Sequence, residues 1–261
     1  MSTTLTPRRT RPTRVLATVT VVAITGVGAV SVAQAVRPPT TKDETFTLDP
    51  GSSMLEVDID RGQVLLTAGT GNRVQVRRTI RGAGRAPVVE ERADANGASL
   101  RSRCPARSWR VCSIRYEIAI PPAYVVDVAA NTGRVEVLGL TVKSLRIAGS
   151  SGSTRLEDVQ GSAEIHSVSG SITGTRLGLS ELVARGGSGQ ITVDFTRPPD
   201  RVNATTGSGA VTIRVPADGG PYRVAARSGS GEEDVQVPTD PASPRHIDMS
   251  SSSGAVAVLP H

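Results

Sequence analysis

The sequence predicts an all-β fold: a β-solenoid, or parallel β-helix-like stack of short strands with glycine turns, preceded by one amino-terminal export helix. Three observations carry this expectation. A Ser-Gly or Thr-Gly pair recurs at Thr132-Gly133, Ser151-Gly152, Ser169-Gly170, Ser188-Gly189, Ser208-Gly209, Ser230-Gly231 and Ser253-Gly254. Successive glycines lie 18 to 23 residues apart with no helical periodicity between them, a beat that marks stacked β coils. Apolar residues stand at every second position on both sides of each glycine, which gives each coil two strands with one buried face.

Each column around the glycine has a reason. Seven residues before it stand Val126, Leu145, Ala163, Leu182, Val202, Val224 and Ile247; five before it stand Val128, Ile147, Ile165, Ala184, Ala204, Ala226 and Met249. Two after it stand Val135, Thr154, Ile172, Ile191, Val211, Glu233 and Val256; four after it stand Val137, Leu156, Gly174, Val193, Ile213, Val235 and Val258. Stacked turns bring like positions to about 4.8 Å, and β-branched side chains suit that pleated surface. Seven coils at this spacing make a rod of roughly 30 Å. The column three before the glycine is small throughout, as a tight corner requires, and the glycine supplies a backbone conformation that residues with a Cβ avoid. Glu233 breaks the inward pattern, and a bulge after Gly231 is the expected repair. Pro260 is expected to blunt the edge of the coil ending in Val256 and Val258.

An eighth unit stands upstream, where Leu55, Val57 and Ile59 precede Gly62 and Val64 and Leu66 follow it. Between it and the regular coils lies an irregular β region with strands around Val74 and Val76, Leu100, and Ile114 to Ile120; Pro121-Pro122 punctuates its end. The expected organisation is therefore a basic tail over 1–14, a signal peptide or single transmembrane anchor over 15–35, a linker over 36–45 and an extracytoplasmic β domain over 46–261. Within that domain, 67–122 forms the irregular region and 123–261 the regular coils.

The export reading rests on an acid-free basic start, TPRRTRPTR, then an uncharged apolar run from Val15 to Val32 and a small-x-small site at Ala33-Gln34-Ala35. Cleavage after Ala35 releases the domain; retention leaves it tethered with the basic end inside. Either outcome places the domain outside the cytoplasm. Arg8, Arg9, Arg11 and Arg14 supply +4 of the chain's +6, so the exported part carries only +2. Its charges are interspersed and no basic stripe with aromatic partners is visible, which argues against nucleic acid.

Cys104 and Cys112 are the two cysteines of the chain and enclose PARSWRV. In an oxidising compartment they are expected to close a hairpin loop as a disulfide, contributing roughly 2–3 kcal/mol. A redox pair would more usually be Cys-x-x-Cys, and no further zinc ligand stands nearby. Trp109 at the loop tip either covers the end of the core or offers an aromatic contact.

The chemistry-bearing residues do not form a catalytic pattern. Glu136, Glu157, Glu164 and Asp194 are scattered over outward columns and read as ladder partners of arginine; in one such column Asp127, Arg146 and Glu164 alternate in sign. Glu232, Glu233 and Asp234 form the one acidic run and read as a solvated turn. His166, His246 and His261 are isolated. Thr173, Thr192 and Thr212 form a short threonine ladder, too short for an ice-ordering array. Gly186-Gly187-Ser188-Gly189 lacks the Lys-Ser/Thr and the helix of a phosphate loop. No catalytic, metal or cofactor site is expected.

These features together resemble the putative-adhesin domain family of bacterial envelope proteins, a family of largely unknown function. The resemblance is carried by the basic-then-apolar start, by FTLDPGSSMLEVDIDRGQVLL, by CSIRYEIAIPPAYVVDVAANTGRVEV, and by the turns VSGSITG, GSGQITV and GSGAVTI; it covers residues 46–261. It implies a non-enzymatic β-solenoid outside the membrane and transfers no site residues. The expected function is thus an adhesin or surface scaffold of the cell envelope, with wall glycans, surface proteins or further copies as partners. Two rivals are a β-helical polysaccharide enzyme, which needs acids converging on one face, and a membrane-anchored sensory ectodomain, which needs residues 15–35 to stay attached.

Overall fold

The computed structural model describes residues 39–83, 85–105 and 112–261. Thr40–His261 forms one compact unit. The expected export helix and Trp109 lie outside the described residues. Among the described residues every regular element is a strand, and no helix is long and apolar enough to cross a membrane.

Each coil is a rung made of an approach arm entering the glycine corner and an exit arm leaving it. Strand β1 spans Thr40–Leu48, β2 Met54–Ala68, β3 Val74–Gly82, β4 Val88–Asp94, β5 Gly97–Arg103 and β6 Cys112–Ile120. Strand β7 spans Tyr124–Leu138, β8 Val142–Ser151, β9 Thr154–Glu157, β10 Gln160–Ser169, β11 Ile172–Ser188 and β12 Ile191–Phe195. The remainder are β13 Arg201–Ser208, β14 Val211–Val215, β15 Arg223–Ser228, β16 Glu233–Val235, β17 His246–Ser253 and β18 Val256–Pro260. Strands β2 and β7 turn their own glycine corners without a break, so each supplies both arms of its rung.

Parallel pairing stacks the rungs as the columns predict. Along the approach arms Val126 lies beside Leu145, Leu145 beside Ala163, Ala163 beside Leu182, and Leu182 beside Val202. Along the exit arms Ile172 lies beside Ile191 and Ile191 beside Val211. These inward columns form the core, with Val128, Ile147, Ile165, Val193 and Ile213 all at 1% exposure or less. Gly174 is the gap in its column, and the side chain of Leu177 occupies the place: a Cβ on Gly174 would lie 2.6 Å from Leu177 Cδ1.

The glycine column is enforced by the neighbouring rung. Gly133, Gly152 and Gly170 have φ of 148°, 139° and 146°, where side chains are strained. A Cβ on Gly152 would fall 1.5 Å from the carbonyl oxygen of Gly133, and one on Gly170 would fall 1.6 Å from that of Gly152. The small column has a polar role beyond its size. Thr206, Ser251 and Ser228 donate their hydroxyls to the carbonyls of Gly189, Gly209 and Gly254 at 3.0, 2.8 and 2.9 Å.

Those partners reveal a departure from sequential stacking. The rung built from β17 and β18 pairs with β13 and β14 on one side and with β15 and β16 on the other. The segment 246–260 therefore fills an interior slot, and the rung containing Gly231 is outermost. Two expectations change. Pro260 does not blunt an outer edge, because β18 is paired on both sides. No bulge follows Gly231: Glu233 lies beside Val256 and Val235 beside Val258 in unshifted register. Glu233 is tolerated in the inward column because no rung covers it; its carboxylate is exposed and accepts from Ser228 N–H at 2.7 Å.

The opposite end is closed differently. Strands β5 and β6 both run parallel to β2, one on each arm, so they are a rung and not the hairpin expected from the cysteines. Antiparallel β4 flanks β5, while antiparallel β3 and then β1 flank β6. Thr40–Thr45 thus belong to β1, where the sequence suggested a linker. Where other rungs turn at glycine, this one brings Cys104 and Cys112 together, with Cα atoms 6.0 Å apart and sulfurs bonded. The cross-link stands in for the tight corner. Replacing both cysteines by serine is expected to lower unfolding stability by roughly 2–3 kcal/mol. Thiol titration of the native protein should find neither cysteine free, and free thiols would refute the assignment.

Candidate functional site

The outer face of the approach arms carries a cluster of charged side chains, and strand register places it. Asp127, Arg146 and Glu164 occupy one column on β7, β8 and β10, as their alternating signs suggested. Next to them, Ala129, Ala148, His166 and Arg185 form a second column. Arg146 reaches Glu164 at 3.1 Å, Arg185 reaches it at 3.4 Å, and His166 Nε2 lies 2.9 Å from its Oε1. The His166 hydrogen bond, then that of Arg146, holds the Glu164 carboxyl below its ordinary range. A carboxylate so surrounded stays ionised and is a poor proton donor.

Beside this cluster the small side chains of Ala129 and Ala148 leave a shallow depression of ≈330 Å³, rimmed by Asp58, Asn131, His166 and Val168. Val168 is 65% exposed, the most exposed large apolar side chain among the described residues. The arrangement is an apolar floor with a polar and charged rim on rigid strands. Such a surface can hold a partner by contact; Ser150 and His166 both line it, and His166 Nε2 is engaged by Glu164 and Arg185.

A second acidic pair lies at the next corner of the coil, where Asp158 and Arg176 adopt φ of 54° and 53°. Arg176 Nη2 donates to Glu157 at 2.7 Å, and its Nε donates to Asp158 at 3.0 Å. Arg155 also donates to Glu157 at 2.7 Å. Paired acids about 5 Å apart serve retaining glycosidases only when one of them has a raised pKa. Here both shift the other way: Arg155 and then Arg176 lower Glu157, and Arg176 lowers Asp158.

The remaining candidates are kept apart by the fold. Glu136 pairs with Arg134 at 3.4 Å. Asp194 lies in register with Arg214, yet its Oδ1 lies 3.4 Å from His261 Nε2. His246 stands beside Arg201 and Arg223. Among the described residues no group of His, Cys, Asp or Glu could hold a metal ion. Thr173, Thr192 and Thr212 do form a ladder, flanked by Arg155 and Ala257. Gly186 to Gly189 run through the end of β11 into a glycine corner. The acidic run Glu232, Glu233 and Asp234 sits on the outermost rung.

One charged residue escaped the sequence columns. Arg78 is 5% exposed and shares the inward face of β3 with Val74 and Val76. Its guanidinium lies 5.4 Å from the Phe46 ring centroid and pairs with Glu44 on β1 and Glu91 on β4. This trio seals the core where β3 and β4 face each other. The even spacing of Val74, Val76 and Arg78 was the available signal; an inward arginine is tolerated because two carboxylates meet it.

The family model described as Toastrack DUF4097 matches residues 122–258. Among solved structures, a putative adhesin from Bacteroides fragilis is 13% identical, with 87% of this chain and 98% of that one covered at a TM-score of 0.51. A putative cell adhesion protein from Clostridium sporogenes is 11% identical, with 85% and 100% covered at a TM-score of 0.42. A putative lipid binding protein from Parabacteroides distasonis is 12% identical, with 85% and 96% covered at a TM-score of 0.29. At 13% identity the likeness to the Bacteroides fragilis structure is one of fold. No curated protein matches the chain.

Proposed function

The chain belongs to the Toastrack DUF4097 family, and on that footing we propose that it is a non-enzymatic surface protein of the bacterial envelope, displayed outside the cytoplasm as an adhesin or scaffold. The observation that carries the reading is the outer face of the approach arms, where charges are neutralised across rungs beside the depression at Ala129 and Ala148. A rigid ladder of this kind binds by presenting a fixed surface, with little ordering cost on association. Wall glycans and surface proteins are the partners proposed. The cross-link between Cys104 and Cys112 supports an oxidising location, and the basic-then-apolar start supports export.

The test is binding of the purified full chain to a glycan array and to isolated cell walls. Val168→Asp places a charge at the rim of the depression while leaving the core untouched, and it should weaken binding by about tenfold or more. Undiminished binding by this variant would remove the depression from the reading, and absence of binding to both surfaces would remove the adhesive role. The enzyme alternative finds no support in acids that are held ionised by arginine. The sensory alternative turns on residues 15–35; a mature chain beginning at Val36 by mass spectrometry would exclude it.

A further inference from the structure

We propose that the outermost rung, β15 with β16, is a self-complementary edge that docks a second copy of this chain end to end about a two-fold axis. The inference goes beyond the surface-protein reading and does not depend on it.

Three observations meet at this edge. First, no further rung stacks on it, although residues 238–240 pair with Tyr222 at the start of its approach arm. Val235 is 38% exposed while its column mates Ile213 and Val258 are fully buried, and Val224 and Ala226 are only partly buried. Val224, Ala226 and Val235 line a groove of ≈720 Å³ with Tyr222 and Val237, and Asp240 stands on its rim. The outer side of a terminal strand also presents backbone N–H and C=O groups; here those of Tyr222 are met by Pro238 and Asp240 and the N–H of Ser228 by Glu233. Second, the two arms carry opposite charge. Strand β15 brings Arg223 and Arg227 with no acid, whereas the turn and strand leading through β16 bring Glu232, Glu233 and Asp234 with no base. Among the described residues neither arginine takes part in an ion pair, in contrast to Arg146 and Arg185, which meet an acid on a neighbouring rung. Third, the opposite end of the stack is sealed by β1, β3, β4 and the Arg78 trio, which disfavours head-to-tail growth.

The geometry then selects the partner. Approach arms run toward the glycine corner and exit arms run away from it. A two-fold axis along the bisector of that corner sets β15 of one copy antiparallel to β16 of the other, and β16 to β15. Both apolar arms are covered at once, and each basic strand meets an acidic one. Such an isologous contact closes on itself as a pair and cannot propagate as a filament.

Charge exchange tests this directly. In sedimentation velocity, the purified full chain should show a concentration-dependent monomer–dimer equilibrium that weakens with salt. Arg223→Glu with Arg227→Glu makes both arms acidic and should weaken pairing by about tenfold or more. Glu232→Lys with Asp234→Lys makes both arms basic and should do the same. An equimolar mixture of the two variants should recover pairing as a heterodimer, and the chain carrying all four substitutions should recover it alone. Unchanged thermal unfolding of each variant separates lost docking from lost fold. A wild-type chain that stays monomeric at every concentration would overturn the proposal, as would variants that pair like wild type or a mixture that fails to recover.

Discussion

Gly152→Ala is expected to unfold the stack or to destabilise it by about 4 kcal/mol or more, at the exceptional end for a single methyl group. Two costs add. The backbone of Gly152 has φ of 139°, a region where a residue with a Cβ is strained by about 1–3 kcal/mol. The new Cβ would lie 1.5 Å from the carbonyl oxygen of Gly133, which no rotamer change relieves because both atoms are close to the backbone. The rungs would have to separate, breaking hydrogen bonds along both arms. Gly71→Ala is the matched control: nothing lies within 4 Å of a Cβ there, and its φ is outside the strained region. Chemical denaturation of the two variants should give widely different midpoints. Indistinguishable midpoints would mean that the corner glycines do not stack.

Val211→Asp should be comparably severe. Val211 is fully buried between Ile191 and Val256, with apolar neighbours on both adjoining rungs. A carboxylate there has no cation to meet and no water to solvate it, so a loss of about 4 kcal/mol or more is expected. Thr212→Asp, one residue on, turns to solvent between Thr192 and Ala257 and should change stability by only about 0.5 kcal/mol. Thermal unfolding of the two proteins side by side measures the alternation of the strand; equal shifts would contradict the register.

Much of this register was legible because a solenoid repeats one local solution. Ile172, Ile191 and Val211 each hold the same offset from their own glycine, so a column read from sequence becomes a column in space. The same regularity hides the order of the last rungs. The residues at the matching offsets around Gly231 and Gly254 are alike enough that spacing alone cannot say which lies beside Gly209. Glu233 was the informative residue: a carboxylate at an inward offset belongs to a rung with one open side. The paired cysteines were legible as a cross-link, but the shape they close was not. Nothing between Gly97 and Ile120 carries a corner glycine from which the two arms could be recognised as one rung. The depression at Ala129 and Ala148 was equally silent, since it arises from two small outward residues meeting across β7 and β8. Arg78 followed the alternation of β3, and only the approach of Glu44 and Glu91 from other strands makes its inward position tenable.

The interior placement of residues 246–260 changes what a truncation would do. In a pile built strictly in chain order, cutting back from the distal side peels off one layer at a time and leaves a smaller intact pile. Here a stop codon before residue 246 deletes a middle layer, and residues 223–235 lose the neighbour on which they lean. The shortened polypeptide forfeits two layers at a stroke and bares the apolar ends of Val202 and Val211. Such a product should aggregate or be degraded instead of surviving as a shorter working protein.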